Sequence, residues 1–320
     1  MTAGERESVL VTGATGLIGT ALVRRFAAEG RRVFAAVRNV EKARTAFAGL
    51  AQVEIVEWDV VRNAAPKPAV RPAWLVHAAG ETASKAFVER PVETIESVVE
   101  GTRHVLAFAR EAGVRAMVFL STMEVYGAPR AARVTERDYG DLDPLAVRSC
   151  YPEAKRLAEN LCVAYAHEYA LNVKIARLTQ TFGAGVKYDD GRVFAEFARA
   201  ILERRDIVLK TEGTTARCYC ALDDAAAAVR LLLEKGEAGT AYTVANEATF
   251  CTIREMAETL IAAHPESGTR LVFDFAGADA RGFAPPFRMN LDCSRLRALG
   301  WAPTRGLLEM FDEMMKEMKR

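Results

Sequence analysis

Short β-branched runs alternate with longer helical patterns through the first half of the chain, and this rhythm restricts the fold more than any other feature. Strand candidates lie at 8–13, 32–37, 53–58, 73–79, 116–122 and 172–178. Helical patterns separate most of them, notably 17–29, 92–112 and 152–170. Strands so continuously apolar are covered on both faces, and their alternation with helices makes a parallel sheet. The spacing therefore predicts an α/β fold, a doubly wound parallel sheet over 1–178. Beyond residue 179 the rhythm loosens, with a helix at 193–204 and a short strand at 206–210. A helix at 222–234 and a strand at 241–245 are expected to return 222–247 to the sheet. The stretches 179–221 and 248–320, with "APPF" at 284–287 and a terminal helix at 305–319, then form a smaller C-terminal lobe.

Composition narrows the function classes. A formal net charge of +1 gives no electrostatic case for nucleic acid or an anionic membrane surface. No apolar run approaches the roughly 20 residues that span a bilayer, and the polar lead "MTAGERE" has no signal-peptide pattern. The six cysteines are scattered and lack metal-site spacing, so no metal is expected. The four histidines, His77 within a strand-like run included, read as structural or surface residues. The cytoplasm is the expected compartment.

"VLVTGATGLIGTALVRRF" places Gly13, Gly16 and Gly19 between a strand and a helix. Small residues here let backbone approach a pyrophosphate, and the helix N-terminus offers free N–H groups and positive potential. A dinucleotide site is the expectation. An acid at the end of the second strand would bind a ribose 2′-OH, whereas an arginine accommodates a 2′-phosphate. The chain reads Ala36-Val37-Arg38-Asn39 there, so Arg38 favours NADP over NAD.

"RSCYPEAKRLAENLC", residues 148–162, reads as an amphipathic helix with Pro152 in its first turn. Leu157, Leu161 and Ala158 repeat at helical spacing and predict the side that packs on the sheet. Tyr151 and Lys155, four apart, share a face. This is either a packing coincidence or a proton relay, in which the ammonium lowers a phenol pKa of about 10. Such a tyrosine could take a hydroxyl proton while the neighbouring carbon gives hydride to a nicotinamide.

The spacing T-G-x-x-G-x-x-G resembles the short-chain dehydrogenase/reductase superfamily, and "HAAG" at 77–80 fits the same pattern. "STMEVYG" (121–127) narrows the resemblance to the extended branch, the NAD-dependent epimerases, dehydratases and decarboxylases of nucleotide sugars. "RLTQTFGAG" (177–185), "DDGRVFAEFARAILERRDIVLKTEG" (189–213), "ARCYCALDDAAAAVRLLL" (216–233) and "LGWAPTRGLLEM" (299–310) extend it over essentially the whole chain.

The resemblance implies a Rossmann sheet with a nucleotide-sugar-binding lobe, a bound NAD(P) and a homodimer. By family habit the cofactor would be NAD, whereas Arg38 argues for NADP. Carried over residue by residue, cofactor contacts fall on Gly13, Thr15, Gly16, Leu17, Ile18 and Gly19, on Asp59 and Val60 after the third strand, on Ala78, Ala79 and Gly80, and on Lys155. Thr122, Tyr151, Lys155 and Glu124 stand where the family has its reacting groups. Ser121, one residue off register, is expected on the opposite side of its strand. Thr122, Met123, Gln180, Arg217 and Arg288 match the sugar and diphosphate contacts.

Family enzymes generally oxidise the sugar at C4 and then diverge. Met123 stands where dehydratases have aspartate and cannot supply a proton, which disfavours dehydration. Glu124 and "RSCYPEAKR" are similar to the decarboxylases, whereas Gln180, Ala184 and Val98 depart from the usual pattern. The expectation is a nucleotide-sugar epimerase-type enzyme, with UDP-glucuronate decarboxylation as the alternative. An NADPH-dependent carbonyl reductase and a non-catalytic dinucleotide sensor are the readings from other classes.

Overall fold

All four residues of β1 (Val9–Thr12) and all five of β2 (Val33–Val37) are buried, as strands covered on both faces must be. The structure, a computed structural model, describes residues 8–62, 66, 70–276 and 287–318. With β3 (Val53–Glu57), β4 (Trp74–His77), β5 (Ala116–Thr122) and β6 (Val173–Leu178) these strands form one parallel sheet. Helices α1 (Leu17–Ala28), α2 (Val40–Ala46), α3 (Ala86–Glu89), α4 (Pro91–Glu111) and α5 (Cys150–Tyr169) connect them. The order β3-β2-β1-β4-β5-β6 reverses direction between β1 and β4. In open α/β sheets a ligand crevice forms at such a switch point, beyond the carboxyl ends of the strands.

Next come β7 (Gln180–Phe182), α6 (Val193–Glu203), β8 (Ile207–Leu209), β9 (Ala216–Ala221) and α7 (Leu222–Lys235). The strand β10 (Ala241–Val244) pairs parallel with β6 and becomes the seventh strand of the main sheet. It is followed by β11 (Asn246–Thr252), α8 (Ile253–Ala263), β12 (Leu271–Phe273), β13 (Arg288–Met289), α9 (Ser294–Ala298) and α10 (Leu307–Met318). A second sheet gathers β7, β11 and β13 around β9. Its outer core is aromatic, with Phe182 stacked on Phe194 at 4.5 Å and Phe311 edge-on at 5.0 Å.

The predicted α/β architecture holds. Strands β7, β11, β12 and β13 have no counterpart in the sequence reading. β7, β12 and β13 have only two or three residues and carry no period, and the seven-residue β11 is broken by a register shift against β9. Of the "APPF" segment only Phe287 is described; residues 284–286, the lead at 1–7 and position 319 of the terminal helix lie outside the described residues. Among those described, no helix is long and apolar enough to cross a membrane.

The packing side of α5 differs in part from the expectation. Ala158 is buried and Leu161 packs half-buried against the core, but Leu157 is 49% exposed, and the other buried residues are Tyr151, Pro152, Ala154, Lys155, Glu159 and Cys162. Polar groups occupy the sheet face because each finds a partner there. Glu159 takes Arg177 of β6 through Nη2–Oε2 at 2.7 Å and receives the Ser121 hydroxyl at 2.5 Å. Arg177 completes its donors on the Glu136 carbonyl at 3.0 Å and the Tyr139 hydroxyl at 2.6 Å. Ser121 thus points away from Thr122, as strand alternation requires.

Removing one member of a buried ion pair strands the other charge. We expect Glu159→Ala to destabilise the chain by about 3–5 kcal/mol, read as a lower midpoint in urea denaturation.

Candidate active site

The glycine turn closes against β4. Gly13 has φ +64°, and a Cβ there would lie 2.7 Å from the Ala78 carbonyl oxygen and 2.8 Å from the Ala79 Cα. At Gly19 a Cβ would fall 2.2 Å from the Gly13 oxygen. Only glycine permits this double approach. Gly16 precedes α1 with no side-chain cap, and the first turn of α1 carries no acid. The donors of a twelve-residue helix therefore face the crevice free for an anion, which fits a dinucleotide pyrophosphate. Thr15, Leu17 and Ile18 line this turn half-buried, beside the half-buried Ala78 and Ala79 and the exposed Gly80.

His77 locks the two strand ends together. Its Nδ1 lies 2.8 Å from Thr12 Oγ1, and its Nε2 lies 3.2 Å from Thr102 Oγ1. Thr12 Oγ1 receives the Ala79 N–H, and Thr102 donates to the Val98 carbonyl at 2.6 Å. These directions make Nδ1 the acceptor and Nε2 the donor. Burial, with the Lys155 charge, depresses the ring to about 3, so it stays neutral.

At the adenosine end, Arg38 is exposed after β2, and Asn39 Oδ1 caps α2 by accepting Lys42 N–H at 2.9 Å. Asp59, after the adjacent β3, accepts the Val61 N–H at 3.1 Å and lies 3.7 Å from Arg62 Nε. Val60 is buried, its carbonyl held by His104 Nδ1 at 2.8 Å.

The chain brings Thr122, Tyr151 and Lys155 together. The Thr122 hydroxyl lies beside the Tyr151 phenol, close enough to favour its ionised form. Thr122 Oγ1 also accepts the Glu124 N–H at 3.2 Å. Tyr151 stacks on the buried Phe87 with ring centroids 4.2 Å apart and planes 9° from parallel. Lys155 Nζ donates to the Leu120 carbonyl at 2.8 Å, 5.9 Å from the centre of the Tyr151 ring.

The expected lowering of the phenol by this lysine is not found. Burial, then the Glu124 charge, holds Tyr151 above its ordinary value, while the Thr122 hydroxyl and Arg148 pull it down. Burial lowers Lys155 to about 8 although Glu159 opposes the shift. Burial disfavours both charged forms, so the chain alone presents a neutral phenol.

Met123 is buried against Thr179, whose hydroxyl donates to the Cys218 carbonyl at 2.5 Å and lies 3.3 Å from the Met123 sulfur. The second sheet carries the other three: Gln180 on β7, Arg217 on β9 and Arg288 on β13, with Gln180 opposite Tyr219 and Arg288 opposite Ala216. Among the described residues Arg217 Nε is buried without a hydrogen-bond partner, its guanidinium 4.9 Å from the Phe287 ring centre. Burial pulls Arg217 below its ordinary value, while Tyr219 and Glu124 hold it up. An unpartnered cationic donor of this kind suits an anionic ligand. Arg288 is exposed, with its guanidinium 5.4 Å from the centre of the Phe250 ring.

Sequence reasoning missed Phe87 and Arg148. Arg148 Nη2 lies 2.9 Å from Glu124 Oε2, and its guanidinium lies 4.6 Å from the Phe87 ring centre. It sits within the quoted "RSCY", but its partner is 24 residues away and no local pattern names it. Among the described residues no cluster of histidine, cysteine and acidic side chains could hold a metal.

Residues 9–246 match the model of the NAD dependent epimerase/dehydratase family. UDP-glucuronic acid decarboxylase 6 of Arabidopsis thaliana is 30% identical over 259 residues, covering 79% of this chain and 73% of that protein. The UDP-glucose 4-epimerase of Thermotoga maritima superposes with a TM-score of 0.81 at 20% identity, covering 98% of each chain. A dTDP-glucose 4,6-dehydratase of Streptomyces venezuelae, solved with NAD, gives 0.80 at 24% identity over 98% of this chain and 97% of that one. A nucleotide-binding α/β fold with a Tyr–Lys helix beside a glycine turn defines the class, and the chain belongs to the NAD dependent epimerase/dehydratase family.

The Lys155 shift has a sign that can be measured. An unfolded lysine keeps its proton to about 10.5, whereas the folded one releases it from about 8. The unfolded state therefore binds more protons across that window, so Lys155 costs stability most below pH 8 and less as the pH rises toward 10.5. We expect wild-type stability, relative to Lys155→Met, to increase between pH 7 and 10 in urea titrations of the cofactor-free chain.

Proposed function

We propose that this chain is an NAD(P)-dependent nucleotide-sugar enzyme of the epimerase type, working through a transient keto sugar. The observation that carries this reading is the buried Tyr151–Lys155 pair, one helical turn apart with Nζ 5.9 Å from the centre of the phenol ring, in a chain whose glycine turn leads into the uncapped α1. Bound NAD(P) supplies the acceptor, and later the donor, of hydride. Arg38, with no acid at the end of β2, supports NADP, and family habit supports NAD.

The chain's own residues manage the proton. Thr122 Oγ1 holds a sugar hydroxyl against Tyr151 Oη, which removes its proton as the carbon gives up hydride and returns it when the ketone is reduced. Lys155, held by Leu120, directs its positive charge to the cofactor side. Arg217 and Arg288 on the second sheet bind the diphosphate, and Phe87 keeps one face of the phenol dry. Met123 has no proton to give, which argues against dehydration.

Decarboxylation of UDP-glucuronate is the second reading. It is favoured by Glu124 beside Tyr151 and by the name of the 30% identical relative. In that case a ketone next to the carboxylate-bearing carbon takes up the electron pair released with carbon dioxide. Product analysis separates the two: a new sugar of equal mass from an epimerase, carbon dioxide and a pentose nucleotide from a decarboxylase. Exposed Val92 and Ile95 on α4 and Leu157 on α5 support the expected homodimer.

Tyr151→Phe is expected to lower turnover at least about 100-fold, with cofactor content after purification unchanged; near-normal turnover would overturn the role. A panel of nucleoside diphosphates and their sugars should raise the melting temperature by ligand linkage. No shift with any of them would sink the nucleotide-sugar reading.

A further inference from the structure

Arg148 takes no part in the chemistry above, yet it touches two of the groups nearest to Tyr151. From the short 3-10 turn before α5, its Nη2 lies 2.9 Å from Glu124 Oε2 and 3.2 Å from Oε1. Its guanidinium also lies over Phe87, the ring on which Tyr151 stacks. Glu124 reaches the phenol by two routes. Its charge opposes phenolate formation, and its backbone N–H donates to the Thr122 hydroxyl beside Tyr151.

We infer that Arg148 is a positioning residue that, besides the direct pull of its own charge, acts on Tyr151 through Glu124 by clamping the carboxylate where a tyrosinate has to form. The inference rests on the acid–base role given to Tyr151 above. Its physical basis is the cost of two anions in one low-dielectric site, where a like charge disfavours the second ionisation. Four charged groups face the phenol: Lys155 from α5, Glu124 from the turn after β5, Arg148 from the turn before α5, and Glu81 from the loop after β4. Lys155 is held by the Leu120 carbonyl, and Arg217 acts on Glu124 only through its field. Among the described residues, Arg148 is the cation in direct contact with Glu124. An ion pair this open to solvent adds little to folding stability, so its consequence lies in the field it leaves at the phenol.

The test is a double-mutant cycle read by the pH dependence of nicotinamide reduction. The full, cofactor-loaded chain is mixed with UDP-glucose or UDP-glucuronate, and the reduced nicotinamide is followed by absorbance. This half-reaction needs a proton acceptor at Tyr151 and no later chemistry at Glu124. Arg148→Met is expected to move the midpoint of the rate profile upward by about one pH unit, and Arg148→Lys to hold it near the wild-type midpoint. In a Glu124→Gln background, Arg148→Met should move the midpoint by clearly less, the remainder being the direct pull of Arg148 on the phenol. Equal shifts in both backgrounds, or a slower rate at every pH with an unmoved midpoint, would overturn the inference. Absence of any reduction by the wild-type chain would instead overturn the reading of Tyr151 itself, and the inference with it.

Discussion

The buried pair between Arg177 and Glu159 sets the rotation of α5, and the candidate site depends on that rotation. Taking two charges out of water is costly unless every donor and lone pair is met. Here Ser121, Tyr139 and the Glu136 carbonyl complete the set. Tyr151, Lys155 and Glu159 follow one another at four-residue intervals along one stripe. Glu159 meets β6 and the Ser121 face of β5, Lys155 meets the Leu120 carbonyl, and Tyr151 stacks on Phe87. Turning the helix by one residue would take all three off their partners together.

The opposite wall of the crevice rests on a close approach of backbone to backbone. Gly13 lets the turn after β1 lie against Ala78 and Ala79, and the Thr12–His77–Thr102 chain fixes the strand ends on either side. A neutral, hydrogen-bonded imidazole suits that place, because a charged one would be buried beside Lys155. The strand ends are thereby fixed where a cofactor would lie, and the free donors of α1 face the crevice.

Electrostatics between these walls leave the chemistry conditional. Burial raises the phenol of Tyr151 and lowers the ammonium of Lys155, so each resists its charged form in the chain alone. Glu124 adds to the resistance, with Arg148 paired to it and Arg217 within reach of its charge. A site of this kind reaches its basic form only when ligand charge and the remaining cations are set together.

The sequence by itself determined the parallel sheet, the glycine turn and the Tyr–Lys spacing. Each is local: apolar runs of fixed length, glycines whose missing Cβ is required, and two side chains one helical turn apart. Ser121 and Thr122 were separable for the same reason, since alternation along a strand is a short-range rule. Tertiary structure alone decided which side of α5 is buried. Leu157 and Leu161 made the stronger apolar pattern, yet Lys155 and Glu159 lie inside because Arg177, Ser121 and Leu120 wait there from distant strands. It likewise decided the pairing of Glu124 with Arg148, the stacking of Phe87 on Tyr151 and the gathering of Gln180, Arg217 and Arg288 on one small sheet. The desolvation of a charge and the partner that offsets it are set by residues far apart in the chain, and no local pattern encodes them.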